Sequence, residues 1–454
     1  MAVSLVLRGG RIVTEDGVLE ADVKIEDGRI VAIGAQSSAD TALSDAATLD
    51  AAGKLIFPGL IDPQVHFREP GNTHKEDLAS GSLAAVAGGV TTFFEMPNTR
   101  PSTTTPALLE DKLARAAERS FGDYAFFLGA SAENASRLGE WECAPGCAGV
   151  KVFMGSSTGS LLVADDATLE RVLRSGTRRV AVHSEDEPRL VERYAALGAG
   201  ASVSEHPEVR DVETAVRATQ RLLDLVERTR RPVHLLHVST AEEIALLRER
   251  DLGDLVTAEV TPNHLFLAAP GCYETHGTGA QMNPPVRELR HQEALRQALV
   301  DGVLACIGSD HAPHTPSEKA RPYPTSPSGI PGVQTILPLL LTAVDDGWLR
   351  LEDVARVTAG APARVYGVLD KGAIAVGNDA DLTIVDPGVV RDLPLSWLRS
   401  RAGWSPFVGT RLAGWPECTL VRGTVVYERH GACVAPAGRP VRFASTVDGA
   451  AGGG

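Results

Sequence analysis

Apolar and polar positions along this chain fall into two textures. Up to about residue 57, short apolar runs alternate with tight polar turns. Leu5-Val6-Leu7, Arg11-Ile12-Val13, Asp22-Val23-Lys24-Ile25 and Ile30-Val31-Ala32-Ile33 are separated by Gly9-Gly10, Glu15-Asp16-Gly17 and Glu26-Asp27-Gly28. Strand-like runs joined by Asp-Gly turns predict a meander of hairpins. From Leu55 the texture changes. Strand-like runs at residues 56–66, 90–95, 124–129, 150–154, 180–184, 233–238, 255–261 and 303–309 alternate with helical segments. The helical periodicity covers residues 78–86, 106–118, 187–197, 212–228, 241–249 and 292–300, with further segments at 337–344 and 351–357. This alternation predicts a parallel (β/α)8 TIM-like barrel.

After about residue 370 the β texture returns, in Gly372-Ala373-Ile374, in residues 381–386 and in Thr424-Val425-Val426-Tyr427. The N-terminal segment alone is small for a stable sandwich. Pairing the two chain ends into one small composite β-sandwich solves that problem. The expected α/β organisation is therefore residues 1–57 and 371–445 as the two parts of the sandwich, 58–370 as the barrel, and 446–454 as a disordered glycine-rich tail.

Chemistry gathers where the barrel strands end, as this architecture requires. The first strand runs into Asp62-Pro63-Gln64-Val65-His66-Phe67-Arg68. On a regular strand its carboxylate, amide, imidazole and guanidinium share one face. Such a row is costly to bury and reads as the floor of a site. Other strand ends deliver Asn98, Lys151, His183, His237, Asn263 with His264, and Asp310 with His311 and His314. Imidazoles, a carboxylate and a strand-embedded lysine on one rim fit a divalent transition metal, zinc above others. Lys151, flanked by Val150, Val152, Phe153 and Met154, is expected to be buried. Either it pairs with a carboxylate elsewhere in the chain, or CO2 converts its neutral amine to a carbamate that bridges metals. His234 reads as a hydrogen-bonded core residue, and His74, His206, His276, His291 and His430 as surface.

Charge narrows the partners. Lys+Arg 44 against Asp+Glu 58 gives −14, with no basic stripe, which argues against nucleic acid. No apolar run approaches a membrane span. The first eight residues do not read as a signal peptide, and the six cysteines are scattered. A cytoplasmic protein with reduced thiols and a small-molecule substrate is expected.

The motifs resemble the amidohydrolase superfamily and, within it, the dihydroorotases. The resemblance rests on residues 62–71, Met96-Pro97-Asn98-Thr99, Gln281-Met282-Asn283-Pro284-Pro285-Val286-Arg287, Ser309-Asp310-His311-Ala312-Pro313-His314 and Ala375-Val376-Gly377-Asn378-Asp379-Ala380-Asp381-Leu382. It implies one or two zinc ions, bridged by carbamylated Lys151. His66, Lys151 and Asp310 would serve one ion; Lys151, His183 and His237 the other. Asp310 would be the catalytic proton carrier, and Arg68, Asn98, Asn283 and His314 would hold substrate. The implied reaction is the reversible closure of N-carbamoyl-L-aspartate to L-dihydroorotate in pyrimidine synthesis. A homo-oligomer, with possible contact to aspartate transcarbamoylase, is the expected assembly. Allantoinase, hydantoinase/dihydropyrimidinase and a non-catalytic transcarbamoylase partner are the alternative readings. One position departs from the family's Asp-x-His-x-His pattern: Gln64 stands where the first imidazole is expected. An amide oxygen is the weaker zinc ligand.

Overall fold

The computed structural model describes residues 4–34, 47–157, 161–431 and 435–444; the expected tail at 446–454 lies outside them. The N-terminal meander forms as its turns predict. β1 (Ser4–Val13), β2 (Val18–Glu26) and β3 (Arg29–Gly34) pair antiparallel in order. A register shift between Leu7 and Gly10 lets one edge of β1 take two parallel partners, β4 (Ala47–Asp50) and β5 (Leu55–Pro58). Glycine is needed at the bend: Gly9 has φ +70°, and a Cβ on Gly10 would lie 2.4 Å from Ile56 Cδ1.

The apolar run at residues 56–66, expected as one strand, is two. Gly59 separates β5 from β6 (Leu60–Val65), and its missing Cβ leaves room for the Thr91 side chain, which would otherwise stand 2.2 Å away. β6 opens the barrel. β7 (Val90–Glu95), β8 (Asp123–Gly129), β9 (Cys147–Phe153), β10 (Val180–His183), β11 (Val233–Leu235), β12 (Val256–Val260) and β13 (Cys306–Ile307) follow, each parallel to the one before. The ring closes through a parallel bridge between Val65 and His311, with His66 N donating to His311 O at 2.8 Å. Outward faces of the strands, such as Val150, Val152, Val180 and Val182, pack under the helices in the largest core cluster. Inward faces carry Ile61, Phe94, Phe127, Ala181 and Leu236, capped by Tyr366.

The expected helices are present at Leu78–Ala87, Pro106–Ala117, Glu187–Ala195, Val212–Thr229, Ala241–Arg250, Leu289–Val300, Ile336–Asp345 and Leu351–Ala355. The longest shows why. Asp211 caps it by accepting from Thr214 N, Leu222, Leu225 and Val226 are buried, and Glu213 pairs with Arg217 on the exposed side. Among the described residues, no helix is long and apolar enough to cross a membrane.

β14 (Leu382–Asp392), β15 (Arg411–Val421) and β16 (Thr424–Glu428) bring the C-terminal part back. β14 pairs antiparallel with β5, so the two chain ends share one sheet beside the barrel. Leu7, Ile12, Val23, Ile25 and Ile56 from one end meet Leu382, Ile384 and Leu420 from the other in a core of their own. That shared core stabilises an N-terminal segment too small to enclose one itself.

Candidate active site

Three residues at the barrel's C-terminal rim leave the strand conformation abruptly: Arg68 at φ +64°, His237 at φ +39° and Asp310 at φ +47°. Non-glycine residues seldom adopt these angles, and their gathering at one rim is a mark of a functional site. These turns also aim side chains that regular strands would have directed elsewhere.

Nine of the ten expected site residues line one cavity: Gln64, His66, Arg68, Asn98, Lys151, His183, His237, Asn283 and Asp310. His314 stands behind Arg68, its Nε2 3.2 Å from the guanidinium. Phe153, Ser157, Ala312, Ser328 and Gly329 complete the lining.

Hydrogen bonds fix which imidazole nitrogens are free. Asn98 Oδ1 lies 2.8 Å from His66 Nδ1, so that nitrogen carries the proton. His66 Nε2 is left as a lone pair, 3.1 Å from Asp310 Oδ1. Two acceptors facing each other at this distance call for a cation between them. The second pair repeats the logic. Glu185 Oε2 lies 2.8 Å from His183 Nε2, an ion-pair contact whose charge favours the proton on that nitrogen. His183 Nδ1 then turns its lone pair toward His237 Nε2, 3.0 Å away. Burial depresses the pKa of all three imidazoles, His237 furthest, which keeps them neutral as ligands must be. The donor set fits a metal, with imidazole nitrogens and a carboxylate oxygen directed inward.

Lys151 lies between these pairs on β9. It is 1% exposed and its Nζ has no hydrogen-bond partner. Among the described residues, no carboxylate lies within ion-pair distance of it. Its nearest neighbour of note is the Phe153 ring, 4.4 Å from Nζ to centroid. Burial pushes its pKa down to about 7. The reading of Lys151 as one half of a buried ion pair is thus not what the fold provides.

Gln64 donates from Nε2 to Asp310 Oδ1 at 3.1 Å, and its Oε1 is buried without a partner. Asp62 departs from the expected row. It sits below the cavity, where Oδ1 accepts from Gln64 N at 3.1 Å and Ser309 N at 3.0 Å, joining the first strand to the last. Pro63 and the register shift between Asp62 and Val65 break the alternation that the row assumed. Asn263 and His264 lie on a short helix, Pro262–Phe266, and do not line the cavity. His311 is also turned away, 3.3 Å from Glu76 Oε2 and accepting from the Gly332 and Val333 amides. His206 and His291, expected at the surface, are buried; His206 Nε2 lies 3.1 Å from Asn283 Oδ1 and fixes that amide. His234 is a core residue, as expected.

The sequence reading missed Glu185 and Arg210. Arg210 forms a fork on Glu185, with Nε 3.0 Å from Oε1. Burial alone would raise the Glu185 carboxyl, but Arg210 and His183 outweigh it and hold it well below the usual carboxylate range. The signal was there in His183-Ser184-Glu185, two residues apart.

The amidohydrolase family model matches residues 55–426, spanning the barrel and the strands that join it to the sheet. The chain belongs to the amidohydrolase family. Curated relatives of this amidohydrolase include a dihydroorotase from Methanosarcina acetivorans, 38% identical over 437 residues, which cover 93% of this chain and 91% of the relative. An allantoinase from Solibacter usitatus is 35% identical over 448 residues, covering 96% of each chain. Among solved structures, the L-hydantoinase (dihydropyrimidinase) from Arthrobacter aurescens superposes with a TM-score of 0.89 at 30% identity, covering 97% of this amidohydrolase and 100% of that chain.

Proposed function

We propose that this chain is a dihydroorotase, which closes N-carbamoyl-L-aspartate to L-dihydroorotate and reopens the ring in cytoplasmic pyrimidine synthesis. The observation that carries this reading is Arg68. Its guanidinium lines the cavity, is 4% exposed, and has no carboxylate within ion-pair distance among the described residues. Burial depresses its pKa to about 10, which still leaves it charged at neutral pH. Nε is committed to Pro313 O at 3.2 Å, so the orientation of the fork is set before substrate arrives. A buried cation without a counter-ion is costly, and a substrate carboxylate removes that cost. The neutral rings of allantoin and the hydantoins offer no such charge. Asn98 and Asn283 line the same cavity and supply amide donors beside the guanidinium.

Zinc held by His66, Lys151 as its carbamate, His183, His237 and Asp310 would supply Lewis acidity and a water of low pKa when bound. The chain's own residues do the rest. Asp310 takes the proton of the attacking water and passes it to the leaving ring nitrogen, first as base and then as acid. Gln64 donates to Asp310 Oδ1 and His66 flanks the same oxygen, so the carboxylate is held in one position. Arg68 fixes the substrate carboxylate and thereby the distance from the ring amide to Asp310.

The relatives named dihydroorotase support this reading. The allantoinase relative and the hydantoinase structure keep the neutral-ring hydrolases as the second reading. The test compares dihydroorotate, allantoin and dihydrouracil as substrates for wild type and Arg68→Met. Wild type should prefer dihydroorotate, and the substitution should cost about 2–5 kcal/mol in kcat/KM for it while sparing neutral rings. Faster turnover of a neutral ring, untouched by Arg68→Met, would overturn the assignment.

A further inference from the structure

Below the cavity, inside the barrel, a second set of metal-binding side chains comes together. His234 on β11, Glu259 on β12 and Cys306 on β13 each place one ligand atom within 4.8 Å of the others. All three are fully buried. His234 Nε2 lies 3.1 Å from Glu259 Oε2 and 3.8 Å from Cys306 Sγ. Bond lengths of about 2.0–2.3 Å to a tetrahedral zinc put such ligand atoms about 3.3–3.6 Å apart, between these two distances. The backbone sets this up, because Glu259 and Cys306 are direct register partners across β12 and β13.

The independent observation is the state of Glu259. Its Oε1 is buried without a hydrogen-bond partner, and no Lys or Arg forms an ion pair with it among the described residues. A buried carboxylate needs a cation or a proton. The fold keeps room for the carboxylate itself: a Cβ on Gly308 would lie 2.4 Å from Glu259 Oε1. His234 is oriented as metal-binding imidazoles are, with its outer nitrogen held. Nδ1 lies 2.7 Å from Thr257 Oγ1, which leaves Nε2 to face Glu259 and Cys306. The Tyr366 hydroxyl is also buried without a partner, its ring edge-on to His234 at 5.5 Å.

We propose that His234, Glu259 and Cys306 bind a zinc ion inside the barrel, separate from the metals of the active site, as a clasp across three adjacent strands. The position makes mechanical sense. β11 has three residues and β13 two, so the ladders that join them to β12 are short, three register pairs and two. An ion bonded to all three strands adds a cross-link where backbone pairing is short. The donor set of thiolate, imidazole and carboxylate selects zinc over magnesium or calcium.

The ligand chemistry makes the test clean, because the active-site set offers only nitrogen and oxygen. X-ray absorption at the zinc edge of the zinc-loaded full chain should show a sulfur scatterer at about 2.3 Å. Cys306→Ser should lose that scatterer and bind one fewer zinc per chain at the same free zinc. If Cys306→Ser does not fold, Glu259→Gln replaces it, with the same loss expected. Only nitrogen and oxygen around zinc in wild type would overturn the proposal and leave Glu259 as a protonated partner of His234. A sulfur scatterer that survives Cys306→Ser would also overturn it, placing the thiolate elsewhere.

Discussion

The two halves of the candidate active site are built to different standards. On the β10–β11 side, His183 and His237 face each other with free nitrogens, and the Glu185–Arg210 pair holds His183 from behind. On the β6–β13 side, His66 and Asp310 face each other in the same way, but the third group is the Gln64 amide, and it spends its donor on Asp310. Lys151 stands between the halves. The difference teaches that ligand count and ligand support are separable. One half has the stronger donors and a buried charged pair behind them, and its metal should be permanent. The other has a weaker third donor but holds Asp310, the proposed proton carrier. Its metal should respond to zinc supply.

The largest effect should come from removing the group between the halves. Lys151→Ala should empty both, with activity falling on the order of 10³-fold or more. Short carboxylic acids added to the variant should restore part of both metal and activity, because they replace the carbamate. Metal analysis with a dihydroorotate assay decides; normal zinc with normal turnover would break the comparison at its centre. Asp310→Asn tests the weaker half alone. It should lower turnover by ~10²-fold or more, while the zinc on the His183–His237 side stays in place. Near-wild-type turnover at normal zinc content would remove Asp310 from the chemistry.

The sequence made the strong half legible only in part. His183 ends an apolar strand, and that pattern survives folding because β10 is regular up to the rim, whereas His237 lies two residues past β11 in a left-handed turn. Lys151 was legible for a physical reason too: four apolar neighbours leave a lysine nowhere to go but inward. The sheet shared by the chain ends followed from size, since residues 1–57 lacked partners for their apolar faces. What was not legible depended on breaks in regularity. Asp62 left the expected row because Pro63 interrupts the strand, and Asp310 reached the cavity through a left-handed turn after a strand of two residues. The burial of His206 and His291 is tertiary, set by Met282, Asn283 and Tyr323 around one and by the capped Ala241 amide beside the other. No local pattern around either histidine announces it.

A smaller effect is expected behind the strong half. Glu185→Gln keeps the shape but gives up the charge that holds the His183 proton, so zinc affinity there should fall about 10–100-fold. The change also leaves Arg210 buried without its carboxylate, at a cost of ~3–5 kcal/mol. Zinc affinity should therefore be read by competition with a chelator, on protein whose circular dichroism matches wild type. Unchanged affinity would mean that Glu185 serves Arg210 and the fold, and the two halves would then differ only in their direct ligands.

Gln64→His should produce the smallest change and the most informative one. In the folded chain the Gln64 amide does two things. Its Nε2 donates to Asp310, and its Oε1 lies buried without a partner. Imidazole in its place offers a better zinc donor but surrenders the hydrogen bond that steadies Asp310. The two consequences have opposite signs. Zinc on this side should tighten by at least about tenfold, since a direct ligand outweighs the outer contacts worth 10–100-fold. Turnover at limiting zinc should rise or hold, because occupancy governs it there. At saturating zinc it should hold or fall, because the freed Asp310 is less well placed. Zinc stoichiometry against buffered free zinc, measured for both proteins beside turnover, separates these outcomes. If wild type already holds this zinc as tightly as the His183–His237 side does, the two halves are equal in strength and Gln64 is no handicap.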